Sequence, residues 1–188
     1  MSKKLIIFLD SGDTIMNEAT EVYEGNTELV LSVEVIPGAD TMVKELHQRG
    51  FTLAIVADGL AQSFKNAFTQ HDIYQYFTSL TYSEQVRALK PSPRMFKAAM
   101  GSLELTDEDR SRIIMVGNNL SRDIKGANLM GITSVHMSWT SRYPKTPADE
   151  TEVPDYTIAT PMELIQLAEE LNSKLEQGLP IKPALKSV

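Results

Sequence analysis

The chain contains no cysteine, which excludes disulfides, thiolate nucleophiles and cysteine-based zinc sites. Histidine is almost as scarce: His47, His71 and His136 are scattered, no HExxH-like spacing occurs, and ordinary packing or surface roles suffice for them. Positive charge is in the minority, with 18 Lys and Arg against 25 Asp and Glu, a formal net charge of -7 and a pI near 5.0. That balance argues against a nucleic-acid footprint and against attraction to anionic membrane, so neither is expected as a partner. A cleft for a small anion remains open, because it needs only one or two cations. Long apolar runs are also missing. The first, after two lysines in "MSKKLIIFLD", spans about five residues, too short for a signal peptide or a spanning helix, and a cytoplasmic protein is expected. There is no internal repeat or low-complexity segment.

What is present suffices for one domain, since 188 residues can enclose a sizeable core. Buried parallel strands read as continuous apolar runs. Three stand out, "LIIFL" at 5–9, "TLAIV" at 52–56 and "RIIMV" at 112–116, with weaker candidates at 77–83, 133–137 and 156–159. Helical patterns alternate with them. Met42, Val43 and Leu46 repeat at helical spacing ahead of Gly50, a left-handed cap, and further helices are predicted over 61–70, along "SPRMFKAAM", over 122–130 and after Pro161. This alternation implies βαβ units and an α/β fold with a doubly wound, Rossmann-like parallel sheet. Residues 17–36 mix charge with β-branched residues around Gly25 and Asn26 and are predicted to form a flap or hairpin. The domain is expected over 1–175, with an extended C-terminal tail at 176–188.

In a doubly wound sheet the ligand lies beyond the carboxyl ends of the strands, near the point where strand order reverses. The residues following the strong strands are Asp10, then Ala57 and Asp58, then "GNN" at 117–119 with Asp123 beyond, and "ALKPSP" supplies Lys90. Acids and a lysine converging on one crevice suit a hard divalent cation and an anionic substrate. A carboxylate that attacks phosphorus needs a cation to offset its repulsion by the phosphate oxygens, and the resulting aspartyl-phosphate divides one hard displacement into two.

At these residues the chain resembles the haloacid dehalogenase superfamily, in the subgroup whose cap follows the first motif, with a short flap instead of a full cap domain. "FLDSGDTI" resembles the first motif, "LAIVADG" the second, "KPSPRMF" the lysine-bearing third and "VGNNLSRDIKGANLMGI" the fourth, where Gly117, Asp123, Gly126, Ala127 and Gly131 fall at the family's spacing. The resemblance implies a Mg²⁺-dependent hydrolase of phosphate monoesters. It makes Asp10 the nucleophile and a metal ligand, Asp123 and the Gly12 carbonyl further metal ligands, and Thr14 a turn residue. Lys90 would pair with Asp10 and the phosphate, and Ala57, Asp58 and Asn118 would line the substrate site.

Three positions depart from the pattern. The second acid of the first motif would stand at position 12, where this chain has Gly12, and general acid–base help contributes roughly 10² to 10⁴ in rate. Asp13 is the candidate replacement in catalysis; its alternative role is to bond backbone N–H groups of its own turn. Ala57 replaces a phosphate-binding hydroxyl, and Asp58 is expected either to select a cationic substrate group or to cap the helix starting near Ala61. Asn118 stands where an acid is common. Trp139, Arg142 and Tyr143 lie in a loop whose contacts are either local or with substrate. The short flap implies an entrance that is open, suiting a bulky phosphorylated substrate, or closed over a small phosphate ester by a second subunit in a homo-oligomer. The alternative reading is a catalytically weak or inactive relative that binds a phosphorylated ligand or a protein partner. A receiver domain phosphorylated on aspartate fits less well, because its acceptor would follow a middle strand.

Overall fold

The computed structural model describes residues 4–184. Among the described residues, eight strands and six α-helices follow one another. They are β1 (Ile6–Leu9), β2 (Val22–Tyr23), β3 (Val30–Ser32), α1 (Ala39–Gln48), β4 (Thr52–Ala57), α2 (Ala61–Gln70), β5 (Ser79–Tyr82), α3 (Ser83–Val86), α4 (Pro93–Ser102), β6 (Ile113–Gly117), α5 (Lys125–Leu129), β7 (Thr133–Met137), β8 (Tyr156–Ile158) and α6 (Glu163–Glu176). Six strands form one parallel sheet in the order β5-β4-β1-β6-β7-β8. The chain winds outward from β1 through β4 to β5, then crosses back to β6 on the other side, so strand order reverses beside β1.

Every residue of β1 and β6 is buried, which is why these strands read as unbroken apolar runs. Their side chains alternate between two cores. Ile7 and Leu9 of β1, with Leu53 and Ile55 of β4 and Ile114 and Val116 of β6, pack against residues of α1, α2 and α6 such as Met42, Phe68 and Leu164. Ile6 and Phe8, with Ala54, Val56 and Met115, pack against Met95, Phe96 and Ala99 of α4 and Ala127 of α5. Fully burying one such Ile or Phe side chain is worth about 1.5–3 kcal/mol. Gly126 marks where α5 closes on α4: a Cβ there would stand 2.3 Å from the Phe96 ring.

The flap is a hairpin, β2 antiparallel to β3. It is docked by its backbone. Ser63 Oγ accepts from the Val30 N–H (3.0 Å), Asn66 Nδ2 donates to the Val30 carbonyl (2.9 Å), and Gln70 Oε1 accepts from the Val33 N–H (3.1 Å). Side chains of α2 thus occupy hydrogen-bonding groups that an edge strand would leave free. The tail turns back onto the body instead of trailing away: Ile181 is buried, its carbonyl accepts from Tyr156 Oη (2.7 Å), and Lys182 Nζ pairs with Asp155 at the sheet edge. The last four tail residues, 185–188, and residues 1–3 lie outside the described residues.

Candidate active site

At the carboxyl ends of β1 and β6, Asp10, Lys90 and Asp123 meet. Lys90 is buried, reaches the site from the loop before α4, and donates hydrogen bonds to Asp10 and the Val56 carbonyl, while Asp123 Oδ1 stands beside it as an ion-pair partner. Asp10 Oδ1 lies at 2.7 Å, Asp123 Oδ1 at 2.7 Å and the Val56 carbonyl at 2.8 Å. Burial works against the ammonium charge, but Asp10, Asp123 and Asp58 outweigh it and hold the Lys90 pKa above its usual value. Asp123 is fully buried, and its pKa is raised by burial first and then by the negative charge of Asp10, with Lys90 opposing both. Its carboxylate rests on Gly117, where a Cβ would come within 2.3 Å of the carboxyl carbon, and it accepts from the Asn119 N–H at 3.0 Å. Gly117 therefore serves as the cradle of the acid.

Asp10, Gly12, Asp58, Lys90, Asn118 and Asp123 all line one small cleft. Asn118 is buried and its Nδ2 has no hydrogen-bond partner among the described residues, while its carbonyl is held by His136 Nε2 at 3.2 Å. An amide N–H left unpaired beside a carboxylate and an ammonium is suited to an incoming oxyanion. Arg122 also lines the cleft, 3.6 Å from Asp58.

Asp58 does not cap α2. The Ala61 N–H is taken by Glu84 Oε2 at 2.8 Å, and Ser83 Oγ accepts from the Gly59 N–H at 2.8 Å. Both acceptors lie on α3, 23 or 24 residues further on, so local spacing could not reveal them. Asp58 instead accepts from the Lys90 N–H at 3.1 Å, and burial raises its pKa, with Lys90 opposing. Ala57 is buried at the end of β4 and brings no hydroxyl, and the N–H groups of Gly59 and Ala61 beyond it are already engaged.

Asp13 is brought elsewhere. It adopts a left-handed backbone (φ 46°), which Asp tolerates, and its fully buried carboxylate turns away from the cleft. It accepts from the Glu18 N–H at 3.1 Å and pairs with Arg142, and its carbonyl accepts from Trp139 Nε1 at 2.7 Å. The loop carrying Trp139, Arg142 and Tyr143 thus clamps the turn after β1, and Tyr143 alone of the three lines the cleft. Thr14 donates its N–H to the Ser11 carbonyl at 3.2 Å, and its buried hydroxyl has no hydrogen-bond partner among the described residues.

Sequence spacing did not single out Glu18 or Arg122. Glu18 lines the cleft beside Gly12, with its carboxylate 3.3 Å from Arg142. Burial raises its pKa, Asp13 and Asp10 raise it further, and it reaches about 7 despite Arg142. The cleft opens onto a cavity of about 1030 Å³ between the hairpin, α2 and residues 83–89, and the two share Gly12, Glu18, Asp58, Phe64 and Arg122.

Residues 5–137 match the haloacid dehalogenase-like hydrolase family model. The chain belongs to that family. It is 30% identical over 138 residues to a glyceraldehyde 3-phosphate phosphatase of Methanopyrus kandleri, covering 73% of this chain and 56% of that protein. It is 29% identical over 135 residues to a phosphoserine phosphatase of Thermus thermophilus, covering 72% of this chain and 51% of that one. The chain thus spans little more than half the length of these relatives. A crystal structure of a Listeria monocytogenes protein aligns over 88% of this chain and 99% of its own, with TM-score 0.69 and 19% identity, a likeness of fold. Among the described residues no helix is long and apolar enough to cross a membrane.

Among the described residues no three His, Asp or Glu side chains form a metal-binding cluster. Two carboxylates, Asp10 and Asp123, with the Gly12 backbone beside them, nonetheless suit Mg²⁺, which is commonly held by one or two carboxylates, water and substrate phosphate. The Asp123 carboxylate, cradled on Gly117 with a buried Oδ1 that accepts no hydrogen bond among the described residues, is the feature that fits a cation.

Proposed function

We propose that the protein is a Mg²⁺-dependent phosphatase of phosphate monoesters that works through an aspartyl-phosphate on Asp10. The observation that supports this reading best is the convergence of Asp10, Lys90 and Asp123, with one ammonium 2.7 Å from each carboxylate at the point where strand order reverses. Mg²⁺ bound by Asp10, Asp123 and the Gly12 carbonyl would supply the positive charge that lets a carboxylate approach a phosphate.

Asp10 attacks phosphorus, the ester oxygen leaves, and water then cleaves the acyl phosphate to release inorganic phosphate and restore Asp10. Lys90 orients the Asp10 carboxylate through Oδ1 and leaves Oδ2 to react, and it neutralises charge as the phosphoryl group arrives. The Asn118 amide and Arg122 meet the phosphoryl oxygens, and Asp58 holds Arg122 at the cleft mouth. The relatives named for glyceraldehyde 3-phosphate and phosphoserine point to small phosphate esters as substrates. The cavity of about 1030 Å³ would also admit a bulky phosphorylated substrate, or a small one enclosed by a second copy in a homo-oligomer. A cytoplasmic setting agrees with the absence of cysteine.

The test is turnover of an activated aryl phosphate by the wild type and by Asp10→Asn, with Mg²⁺ and with chelator. Turnover that needs both Asp10 and Mg²⁺ is the expected result. Wild-type turnover no faster than that of Asp10→Asn would overturn the reading and favour a protein that binds a phosphorylated ligand without cleaving it.

A further inference from the structure

Gly12 leaves the first motif without its second acid, yet the space its side chain would fill is not empty. A Cβ built on Gly12 would lie 1.9 Å from Glu18 Oε1 and 2.8 Å from the Glu18 carboxyl carbon. The carboxyl group of Glu18 therefore stands where a side chain at position 12 would stand, on the same cleft as Asp10. We propose that Glu18 is the proton donor and acceptor of the reaction, a function delivered from six residues further along the chain. This rests on the phosphatase reading of the same cleft.

The chain is built to deliver Glu18 there. After Asp10, the Ser11 carbonyl accepts from the N–H groups of Thr14, Ile15 and Met16 at 2.8 to 3.2 Å, which reverses the chain in one tight turn. Asn17 then caps the short 3-10 turn Glu18–Thr20, its Oδ1 accepting from the Ala19 N–H at 3.1 Å. The Glu18 N–H is bound by Asp13 Oδ1, and Asp13 is itself held by Arg142 and Trp139. Asp13 is thus a positioning residue: it fixes the backbone from which Glu18 reaches back over Gly12. The absence of a side chain at position 12 is what makes room, so Gly12 and Glu18 act as one device.

In the first step Asp10 Oδ2 forms a bond to phosphorus, the bond from phosphorus to the ester oxygen breaks, and the Glu18 carboxyl gives its proton to that oxygen. In the second, the Glu18 carboxylate takes a proton from water as the water oxygen attacks phosphorus. The bond between Asp10 and phosphorus breaks, and inorganic phosphate leaves with Glu18 protonated again.

The test compares wild type, Glu18→Gln, Glu18→Ala and the double variant Gly12→Asp with Glu18→Ala on two substrates. One is an aryl phosphate whose leaving group needs no proton, the other an alkyl phosphate whose leaving group does. Asp10→Asn serves as the control for the underlying reading. Glu18→Gln is expected to lose roughly 10²- to 10⁴-fold on the alkyl phosphate. On the aryl phosphate it should still release one equivalent of phenolate in a burst before slow turnover, because Asp10 can be phosphorylated without the acid but not readily hydrolysed. The double variant should recover at least about tenfold over Glu18→Ala on the alkyl phosphate, since the carboxylate introduced at position 12 would enter the space Glu18 vacates. Unchanged alkyl phosphate turnover in Glu18→Gln would overturn the proposal. So would an equal loss on both substrates with no burst and no rescue, the mark of a merely structural role. If the wild type itself turned over no faster than Asp10→Asn on either substrate, the phosphatase reading would fail, a result distinct from these.

Discussion

The two walls of the cleft are built by different means. On the strand side, Asp10 directly follows the fully buried β1, and Asp123, on the helical turn at 120–124 beyond β6, folds back onto Gly117 at the end of that strand, so the two share one buried ammonium. On the flap side, Glu18 is placed by a reversed turn, a buried Asp13 and a loop that arrives more than 120 residues later, through Arg142 and Trp139. Strand ends fix a residue through the periodicity of the element itself. Loops fix one only through contacts that sequence spacing does not reveal.

This difference predicts an order of effects. The largest is on chemistry: Asp10→Asn should cut aryl phosphate turnover by roughly four orders of magnitude or more with the fold intact, read by steady-state kinetics beside a thermal melt. Next, Lys90→Met leaves two carboxylates without their cation in a dry site. It should cost about 3–5 kcal/mol in urea unfolding at neutral pH, and less at acidic pH, where Asp123, its pKa raised by burial, is protonated. An undiminished unfolding midpoint would break the picture of the strand side as an electrostatic unit.

Arg142→Met is the matching change on the flap side. Arg142 is about a third exposed, so water can partly replace it, and a cost of about 1–3 kcal/mol is expected, together with slower turnover as Glu18 loses its anchor. If Arg142→Met proved costlier than Lys90→Met, the ranking of the two walls would be reversed.

The smallest effect concerns the pH dependence of Glu18, measured in chelator. Its pKa rises from 4.5 unfolded to about 7 folded, so between those values the folded chain binds more protons and stability falls as pH rises. Glu18→Gln should therefore be as stable as wild type below pH of about 4 and more stable above about 7, by about 1 kcal/mol after allowing for partial exposure. Equal stability of the two proteins at every pH would show that the Glu18 carboxyl is not held against its charge.

Much of this was legible beforehand. The three central strands β1, β4 and β6 announced themselves as apolar runs because both faces of the sheet are covered there, the outer β5, β7 and β8 showed only as weaker candidates, and Asp10, Lys90 and Asp123 were read from the strand ends. The fourth motif's glycines have packing reasons visible only in the fold, Gly117 under Asp123 and Gly126 against Phe96. What spacing missed was non-local. Asp13 sits one residue from the empty position, but its left-handed backbone turns the carboxylate inward, and the nearest acid in space is Glu18. Asp58 sits before α2, but the cap comes from Glu84. The tail carries Pro and Gly punctuation, yet Ile181 finds a place in the core.

The central claim is that Asp10 carries the phosphoryl group, and peptide mapping of enzyme quenched in acid during turnover of an aryl phosphate tests it most directly. The account predicts a phosphoryl group on the peptide containing Asp10, absent when Asp10→Asn is treated identically. A phosphoryl group on another residue, or turnover that survives loss of Asp10, would contradict it.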